Sequence, residues 1–184
     1  MKSSATYDAF AGLLTYPESD YSEQIGACLR LAPPECREEL RQFSIAVEKL
    51  ATDELQELFT RSFDLNPVCS LELGWHLFGE NYERGLLLVR MREELRRHGV
   101  EESSELPDHL AHVLRLIGRM ESEPAADFVG ACVLPALEKM LQAIGEKRNP
   151  FEHVLQAART LLHGTFPDVS LVCSGSEPLL RVLV

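Results

Sequence analysis

Apolar residues recur at helical spacing through most of this 184-residue chain, and this periodicity is what most limits its fold. One face of the helix expected after Pro107 shows the spacing i, i+3, i+4, i+7 and i+10 of a buried stripe. The residues at these positions are Leu110, Val113, Leu114, Ile117 and Met120. The breaks between such stretches contain Pro, Gly or Asn and no hairpin dipeptide. The pattern predicts an all-α fold, a single-domain bundle of about seven to eight helices.

Residues at the breaks predict where individual helices begin and end. Thr52 is expected to cap the N-terminus of a helix, and Asn149 to cap the last one. Pro107 is expected to start a helix, because a proline in the first turn gives up an N–H that has no helical partner. Gly99 is expected to end the preceding long helix. The polar stretch VEESSE at 100–105 is expected to be a surface loop.

Length and cysteine content favour one domain with an ordinary apolar core. A chain of this size buries roughly 70% of its unfolded surface, so it needs neither disulfides nor a structural metal. Its five cysteines contain no C-x-x-C pair, so no disulfide or zinc framework is predicted. The helical domain is expected over residues 1–164. For the tail, 165–184, a strand-like arm, a partner-binding segment and a disordered chain all stay open.

The net charge of −11 limits the partners of the chain. A negative field of this size repels phosphate backbones and anionic lipid, so we expect no nucleic acid and no stable membrane association. The N-terminal residues lack an apolar signal region, and no apolar run is long enough to suggest a membrane span. The expected compartment is the cytoplasm, and the favoured partners are cationic.

Catalytic signatures are missing from the sequence. There is no G-x-G-x-x-G, no P-loop and no G-x-S-x-G elbow. His109 and His112, one helical turn apart with Glu105 and Asp108 nearby, form the best arrangement for a divalent metal. No H-E-x-x-H or recurring E-x-x-H pair supplies further ligands, so we expect a non-enzyme with no metal and no cofactor.

The most unusual stretch is 63–80, which contains the single Trp of the chain, a Pro break and two Gly. One interpretation is a core crossing between helices. The other is that part of it lines a groove for an apolar helix of another protein. Cys69 in this stretch is expected to be a buried structural thiol, because no motif lowers its pKa. Carboxylates at Glu105 and Asp108 would attract the basic end of such a ligand.

Three motifs within residues 5–164 carry a family resemblance. They are LTYP at 14–17, FDLNP at 63–67 together with GWHLFGE at 74–80, and ELPDHL at 105–110. With them the chain resembles the redox-enzyme maturation chaperones, the all-helical family that includes TorD and DmsD, and most closely the NarJ branch. The Pro directly before Asp108 is similar to NarJ-type sequences, whereas more distant relatives read E-P-x-D-H.

This resemblance implies a cytoplasmic chaperone without catalytic activity. NarJ-type proteins bind the N-terminal, leader-like segment of the catalytic α subunit of a respiratory nitrate reductase. They keep the apoenzyme competent for insertion of the molybdenum cofactor and an iron–sulfur cluster, and they delay its docking to the membrane anchor. The resemblance also implies a set of peptide-binding residues. Glu105 is added for its charge, and Leu73, Phe78 and Leu110 are added as expected groove-wall positions. The full set is Leu73, Trp75, Phe78, Glu80, Tyr82, Glu105, Pro107, Asp108, His109 and Leu110.

Three alternatives to this function remain open at the level of sequence. The client could be another molybdoenzyme, such as a dimethyl sulfoxide, trimethylamine N-oxide, selenate or chlorate reductase. The chain could be a metal-dependent enzyme built on His109, His112 and a carboxylate. It could also be a helical adaptor for a folded protein. The expected oligomeric state is a monomer or a weak homodimer, with the loop at 100–105 as the place where helices would be exchanged.

Overall fold

A computed structural model describes residues 3–145 and 149–169 of the chain. Within these ranges the chain is helical, and its one extended pairing is a single-residue bridge. The α-helices are α1 (Ser4–Gly12), α2 (Tyr21–Leu31), α3 (Arg37–Val47), α4 (Thr52–Phe59), α5 (Leu73–Phe78), α6 (Tyr82–Arg97), α7 (Leu110–Ile117), α8 (Ser122–Phe128), α9 (Leu134–Gly145) and α10 (Phe151–Thr165). Wider π-type turns at Val129–Val133 join α8 to α9 without a break. The predicted all-α bundle is confirmed.

The bundle is built around α7. Every residue of this helix except Arg115 is buried, which its apolar periodicity requires. Helix α1 packs along α7 and α2, while α10 packs along α3 and α9. The short helix α5 lies between α6 and α9. This arrangement carries α5 and the N-terminal end of α7 to the same side of the molecule, where they contact each other directly.

Aromatic side chains form the part of the core that lies next to this contact. Phe151, at the start of α10, lies 5.2 Å from Phe43 and 5.2 Å from Phe63 between ring centroids. Its ring also meets Phe59 edge-on at 5.5 Å. Edge-to-face pairs of this kind add about 0.5–1.5 kcal/mol each beyond their buried area. Phe59 and Phe63 are therefore held rigidly on their inner side.

Two helix starts differ from the sequence prediction. Thr52 was expected as an N-cap, but α4 begins at Thr52 and the N-cap is Ala51. The carboxylate of Glu54 accepts the Ala51 N–H at 2.8 Å, and this bond replaces the expected threonine cap. The prediction that Pro107 starts a helix is also wrong. Helix α7 begins at Leu110, because the backbone of residues 108–110 bonds to residues 71–73.

Other boundaries follow the sequence closely. Gly99 has a φ of 64°, the left-handed conformation expected after α6, and residues 100–105 form a loop. The N-cap of α10 is Pro150, one residue after the expected Asn149, and Oδ1 of Asn149 accepts the Phe151 N–H at 3.0 Å. The helical domain extends slightly past its predicted end, because α10 reaches Thr165 and Phe166 is buried. The rest of the predicted tail, 170–184, lies outside the described residues.

One helical stretch is long and apolar enough, by length and composition alone, to cross a membrane. It runs from Ser122 to Gly145, and 67% of its most apolar window is buried inside the protein. Burial of this extent is typical of the core helix of a globular bundle. Cys69 packs against the same stretch, with its thiol donating to the Met140 carbonyl at 3.6 Å, so its expected burial is confirmed.

We expect Phe151→Ala to lower the free energy of unfolding by about 3–5 kcal/mol, because the cavity would open beside three other aromatic rings. Chemical denaturation followed by circular dichroism measures this change. Val89→Ala is the control, since the Val89 side chain on α6 is 56% exposed and its loss should change stability by no more than about 0.5 kcal/mol. A loss below about 1 kcal/mol for Phe151→Ala would contradict the assigned packing.

Candidate functional site

Two segments about 35 residues apart in sequence, 71–74 and 108–110, are bonded to each other. The Leu110 N–H donates to the Leu71 carbonyl at 2.8 Å, and the Leu73 N–H donates to the Asp108 carbonyl at 3.1 Å. Glu72 and His109 are paired between these bonds in an antiparallel bridge. We call these two segments the junction. It fixes the N-terminus of α5 against the N-terminus of α7.

A side-chain bond completes the junction. Oδ2 of Asp108 accepts the Gly74 N–H at 2.7 Å. Position 74 must be glycine for this approach, because a Cβ there would lie 2.8 Å from Asp108 Oδ2 and 3.0 Å from Cγ of Arg84. A Cβ there would force the Asp108 carboxylate and the Arg84 side chain to move. Gly74-Trp75 of one sequence motif and Pro107-Asp108 of another therefore lie next to each other in the fold.

Burial of Asp108 corrects one expectation from the sequence. The residue was expected to meet the basic end of a ligand, but it is completely buried. Burial raises the pKa of its carboxyl group, while the Gly74 N–H and the nearby Arg84 charge oppose that rise. Oδ1 of Asp108 has no hydrogen-bond partner. Asp108 thus holds the junction together from inside and does not lie on the surface.

His109 and His112 are both used by the local structure. Nδ1 of His109 accepts the Ala111 N–H at 3.2 Å and caps α7. Burial, together with the nearby His112 and Arg115, lowers the pKa of His109 to about 3. In His112, Nε2 accepts the Ser103 N–H at 3.0 Å, so Nδ1 donates to the Leu106 carbonyl at 2.9 Å. These bonds attach the 100–105 loop to α7.

The hydrogen bonds of His112 argue against the alternative that His109 and His112 bind a metal. Both ring nitrogens of His112 are engaged by backbone or hydroxyl groups, which leaves no lone pair for a metal in this arrangement. Across residues 3–145 and 149–169, no group of three or more His, Cys, Asp or Glu side chains is placed to hold a metal ion. The sequence hypothesis of a His109–His112 metal site therefore has no geometric support.

A cavity of about 270 Å³ lies on the outer side of the junction. Phe59, Phe63 and the partly exposed Trp75 contribute to its wall. Its carboxylates come from three elements, namely Asp64 after α4, Glu72 in the junction and Glu105 in the loop. We call this cavity the acidic groove. Its one arginine is Arg84 of α6, whose guanidinium lies 5.5 Å from the centroid of the Trp75 ring.

Crowded negative charge characterises the acidic groove. Burial raises the pKa of Glu72, and the charges of Asp108 and Glu105 raise it further, against an opposing effect of Arg84. Burial also raises the pKa of Asp64. A cation entering the groove would favour the ionised form of both groups, because opposite charges at short range stabilise each other. The groove is thus suited to a positively charged side chain flanked by apolar groups.

The structure brings together only part of the residues expected from the sequence. Trp75, Glu105 and His109 line the acidic groove, and Pro107 is buried beside it. The remaining residues lie elsewhere. Leu73, Phe78 and Leu110 belong to the apolar core, while Glu80 and Tyr82 are exposed outside the groove lining.

Sequence reasoning missed several groove residues. Glu72 and Arg84 were not singled out, although each lies close in sequence to Trp75. Their place in the groove depends on the junction, in which Glu72 pairs with His109. No local sequence pattern predicts that pairing. Phe59 was not singled out either. Its position beside Phe63 at the π-type turn of residues 60–64 exposes one side of the aromatic cluster to the groove.

A larger cavity of about 990 Å³ lies between α1 and the C-terminal half of α10. It contains none of the residues that the sequence motifs single out. Its Arg159 is already paired with Glu138 at 3.2 Å. Size alone therefore does not make it the better candidate, because the smaller groove has the unpaired charge and the rigid frame.

We expect Asp108→Asn to be tolerated and Asp108→Ala to be less stable than it by about 1–3 kcal/mol near neutral pH. Asparagine keeps an acceptor for the Gly74 N–H, whereas alanine leaves that buried donor unpaired. The wild-type carboxyl has a raised pKa, so wild type should lose stability as pH rises through it, and Asp108→Asn should not. Urea denaturation at several pH values measures both effects. Equal stability of the two variants would contradict the bond.

His109 should make the fold sensitive to acid. Because its pKa falls to about 3 on folding, the unfolded chain binds a proton at higher pH than the folded chain does. Stability is therefore lost as pH falls below about 6.5, by up to about 1.4 kcal/mol per pH unit. His109→Asn keeps a capping acceptor but cannot titrate in this range. Its plot of unfolding free energy against pH should be shallower, and an identical slope would contradict this assignment.

Comparison with known proteins adds a family to this geometry. A family model described as the nitrate reductase delta subunit matches residues 30–157. The probable nitrate reductase molybdenum cofactor assembly chaperone NarJ of Bacillus subtilis (strain 168) is 23% identical over 163 residues, which cover 86% of this chain and 84% of that protein.

The nitrate reductase molybdenum cofactor assembly chaperone NarJ of Escherichia coli (strain K12) is 27% identical over 122 residues. These cover 62% of this chain and 52% of that protein, so the aligned part spans about half of the Escherichia coli protein. The expected resemblance of the chain to NarJ-type proteins is confirmed. Since the family model matches more than half of its length, the chain belongs to the nitrate reductase delta subunit family.

Proposed function

We propose that this chain is an assembly chaperone, and not an enzyme, for a respiratory nitrate reductase. In this proposal it binds the N-terminal, leader-like segment of the apo α subunit in the cytoplasm and supports molybdenum cofactor insertion before the subunit docks at the membrane. Relatives at 23% and 27% identity are named as nitrate reductase molybdenum cofactor assembly chaperones. The observation that carries the proposal is the acidic groove, because its charge and aromatic wall suit a basic, amphipathic segment.

The groove would take up the ligand in two ways. Apolar side chains of the leader-like segment contact Phe63 and Trp75, and a basic side chain meets Glu72 or Glu105. At about 270 Å³ the groove has room for one or two side chains and not for a whole helix, so the segment lies across its mouth. Helical segments commonly bind a partner through a few such anchors on one face.

The magnitudes are compatible with reversible binding. Burying one large apolar side chain contributes about 1.5–3 kcal/mol, and a partly desolvated charge pair adds to this. The costs of association and ordering subtract several kcal/mol. An affinity in the micromolar range is therefore expected from the groove alone, which suits a chaperone that must release its client once the cofactor is inserted.

Binding of the client's N-terminus would also set the order of cofactor insertion and membrane docking. While the chaperone covers that segment, the segment cannot take part in docking to the membrane anchor. Release after cofactor insertion would then order the two steps. The chaperone needs no cofactor of its own for this role, and it acts as a monomer or a weak homodimer.

Calorimetry with a synthetic peptide from the N-terminus of the nitrate reductase α subunit of the same organism tests the proposal. We expect saturable binding by wild type and a loss of at least about fivefold in affinity for Trp75→Ala, because its ring supplies much of the apolar contact. Glu105→Gln should weaken binding, whereas Glu101→Gln, an exposed residue of the same loop outside the groove lining, should not.

Three outcomes of this experiment would contradict all or part of the proposal. If neither a heat of binding nor displacement of bound peptide is detected at high micromolar peptide concentrations, the leader is not a ligand of this protein. Tighter binding of a leader from a different molybdoenzyme, such as a dimethyl sulfoxide or trimethylamine N-oxide reductase, would keep the chaperone role but reassign the client. Equal weakening by Glu105→Gln and Glu101→Gln would point to a diffuse charge effect and away from the groove.

A further inference from the structure

Arg84 occupies the position in the acidic groove where a basic ligand group would bind. Its guanidinium lies over the ring of Trp75, 5.5 Å from the ring centroid, and the residue lines the groove together with Glu72 and Glu105. A guanidinium on a Trp face is held there by a cation–π attraction. The protein thus places a cation of its own against the aromatic side chain of the groove.

The polar bonds of this arrangement are incomplete. Nε of Arg84 is buried and has no hydrogen-bond partner, and the same is true of Oδ1 of Asp108. Cγ of Arg84 and Oδ2 of Asp108 both lie close to Gly74, yet no ion pair within 4 Å forms between Arg84 and any carboxylate of residues 3–145 and 149–169. A buried donor that lacks a hydrogen-bond partner costs free energy. Arg84 is therefore held in the groove weakly.

We propose that Arg84 is an internal competitor, which fills the cation position of the acidic groove in the free protein and leaves it when a basic side chain of the ligand enters. This inference rests on the proposed function, since it concerns the same groove. A ligand arginine or lysine would gain the same Trp75 face and the same carboxylates. It would enter from outside and would not be tied to the geometry of α6.

Space for the displaced side chain is present. The residue after Arg84 is Gly85, and a Cβ built there would meet no atom within 4 Å, so the surface of α6 beside Arg84 is open. Arg84 itself is only partly buried. Its flexible stem can turn into this open space without moving the helix. Exchange of one cation for another also keeps Asp108 and Glu72 near a positive charge.

Competition of this kind would make the groove selective. A segment without a positive charge offers no replacement for Arg84 on Trp75, so the cation stays and blocks part of the cavity. A segment with a basic side chain compensates for the exchange. Arg84 would then act as a specificity-determining residue that lowers the affinity for all ligands but lowers it least for basic ones.

Titration calorimetry with Arg84→Gln tests the competition. The probes are the reductase leader peptide and the same peptide with its Arg and Lys residues replaced by Gln. We expect the basic peptide to bind Arg84→Gln about three- to tenfold more tightly than wild type, which corresponds to loss of one cation–π competitor. Arg96→Gln removes an equal charge from an exposed position of α6 and is the control; it should change affinity by less than twofold.

Further arms separate the outcomes. Arg84→Lys should restore affinity toward the wild-type value, and thermal melting verifies that each variant is folded. Weaker binding of the basic peptide by Arg84→Gln, or a gain equal to that of Arg96→Gln, would overturn the competitor role while leaving the proposed function in place. No binding by wild type or any variant would overturn the proposed function, and this inference with it.

Discussion

The hydrogen bond from the Gly74 N–H to the Asp108 carboxylate is the contact on which the site depends. It joins the start of α5 to the start of α7 at 2.7 Å, and backbone bonds on either side of it complete the junction. Together with the Leu110–Leu71 and Leu73–Asp108 backbone bonds, it holds Trp75 at a fixed place relative to Glu105. The bond works because Gly74 has no side chain and because Asp108 is dry, so water does not compete for the acceptor.

The acidic residues of the site therefore have two different roles. Asp108 is buried and orients the frame, whereas Asp64, Glu72 and Glu105 line the groove, where a ligand can reach them. Burial raises the pKa of both Glu72 and Asp64, and for Glu72 the nearby charges of Asp108 and Glu105 raise it further. Arg84 offsets this negative charge only in part. The free protein is therefore left with a charge imbalance that a basic segment would relieve.

Helical periodicity was sufficient to predict the bundle. The glycine signal located the C-terminal end of α6, and the asparagine signal located the start of α10 to within one residue. The start of α7 was misplaced by three residues because Pro107 carries a local helix signal, while the bonds of Asp108 and Leu110 to segment 71–74 are long-range and override it. The same limit explains the site. Trp75 and Glu105 could be named from unusual composition and charge, but Glu72, Arg84 and the burial of Asp108 follow from a tertiary contact.

The fluorescence of Trp75 provides the most direct test, because Trp75 is the only tryptophan of the chain and lines the acidic groove. Emission is recorded while the leader peptide is added, with an equimolar peptide of scrambled sequence as the control. We expect a saturable shift or quenching of the emission that follows the same binding curve as calorimetry. Binding detected by calorimetry with unchanged Trp75 emission would show that the ligand lies elsewhere, and the groove would no longer be the site.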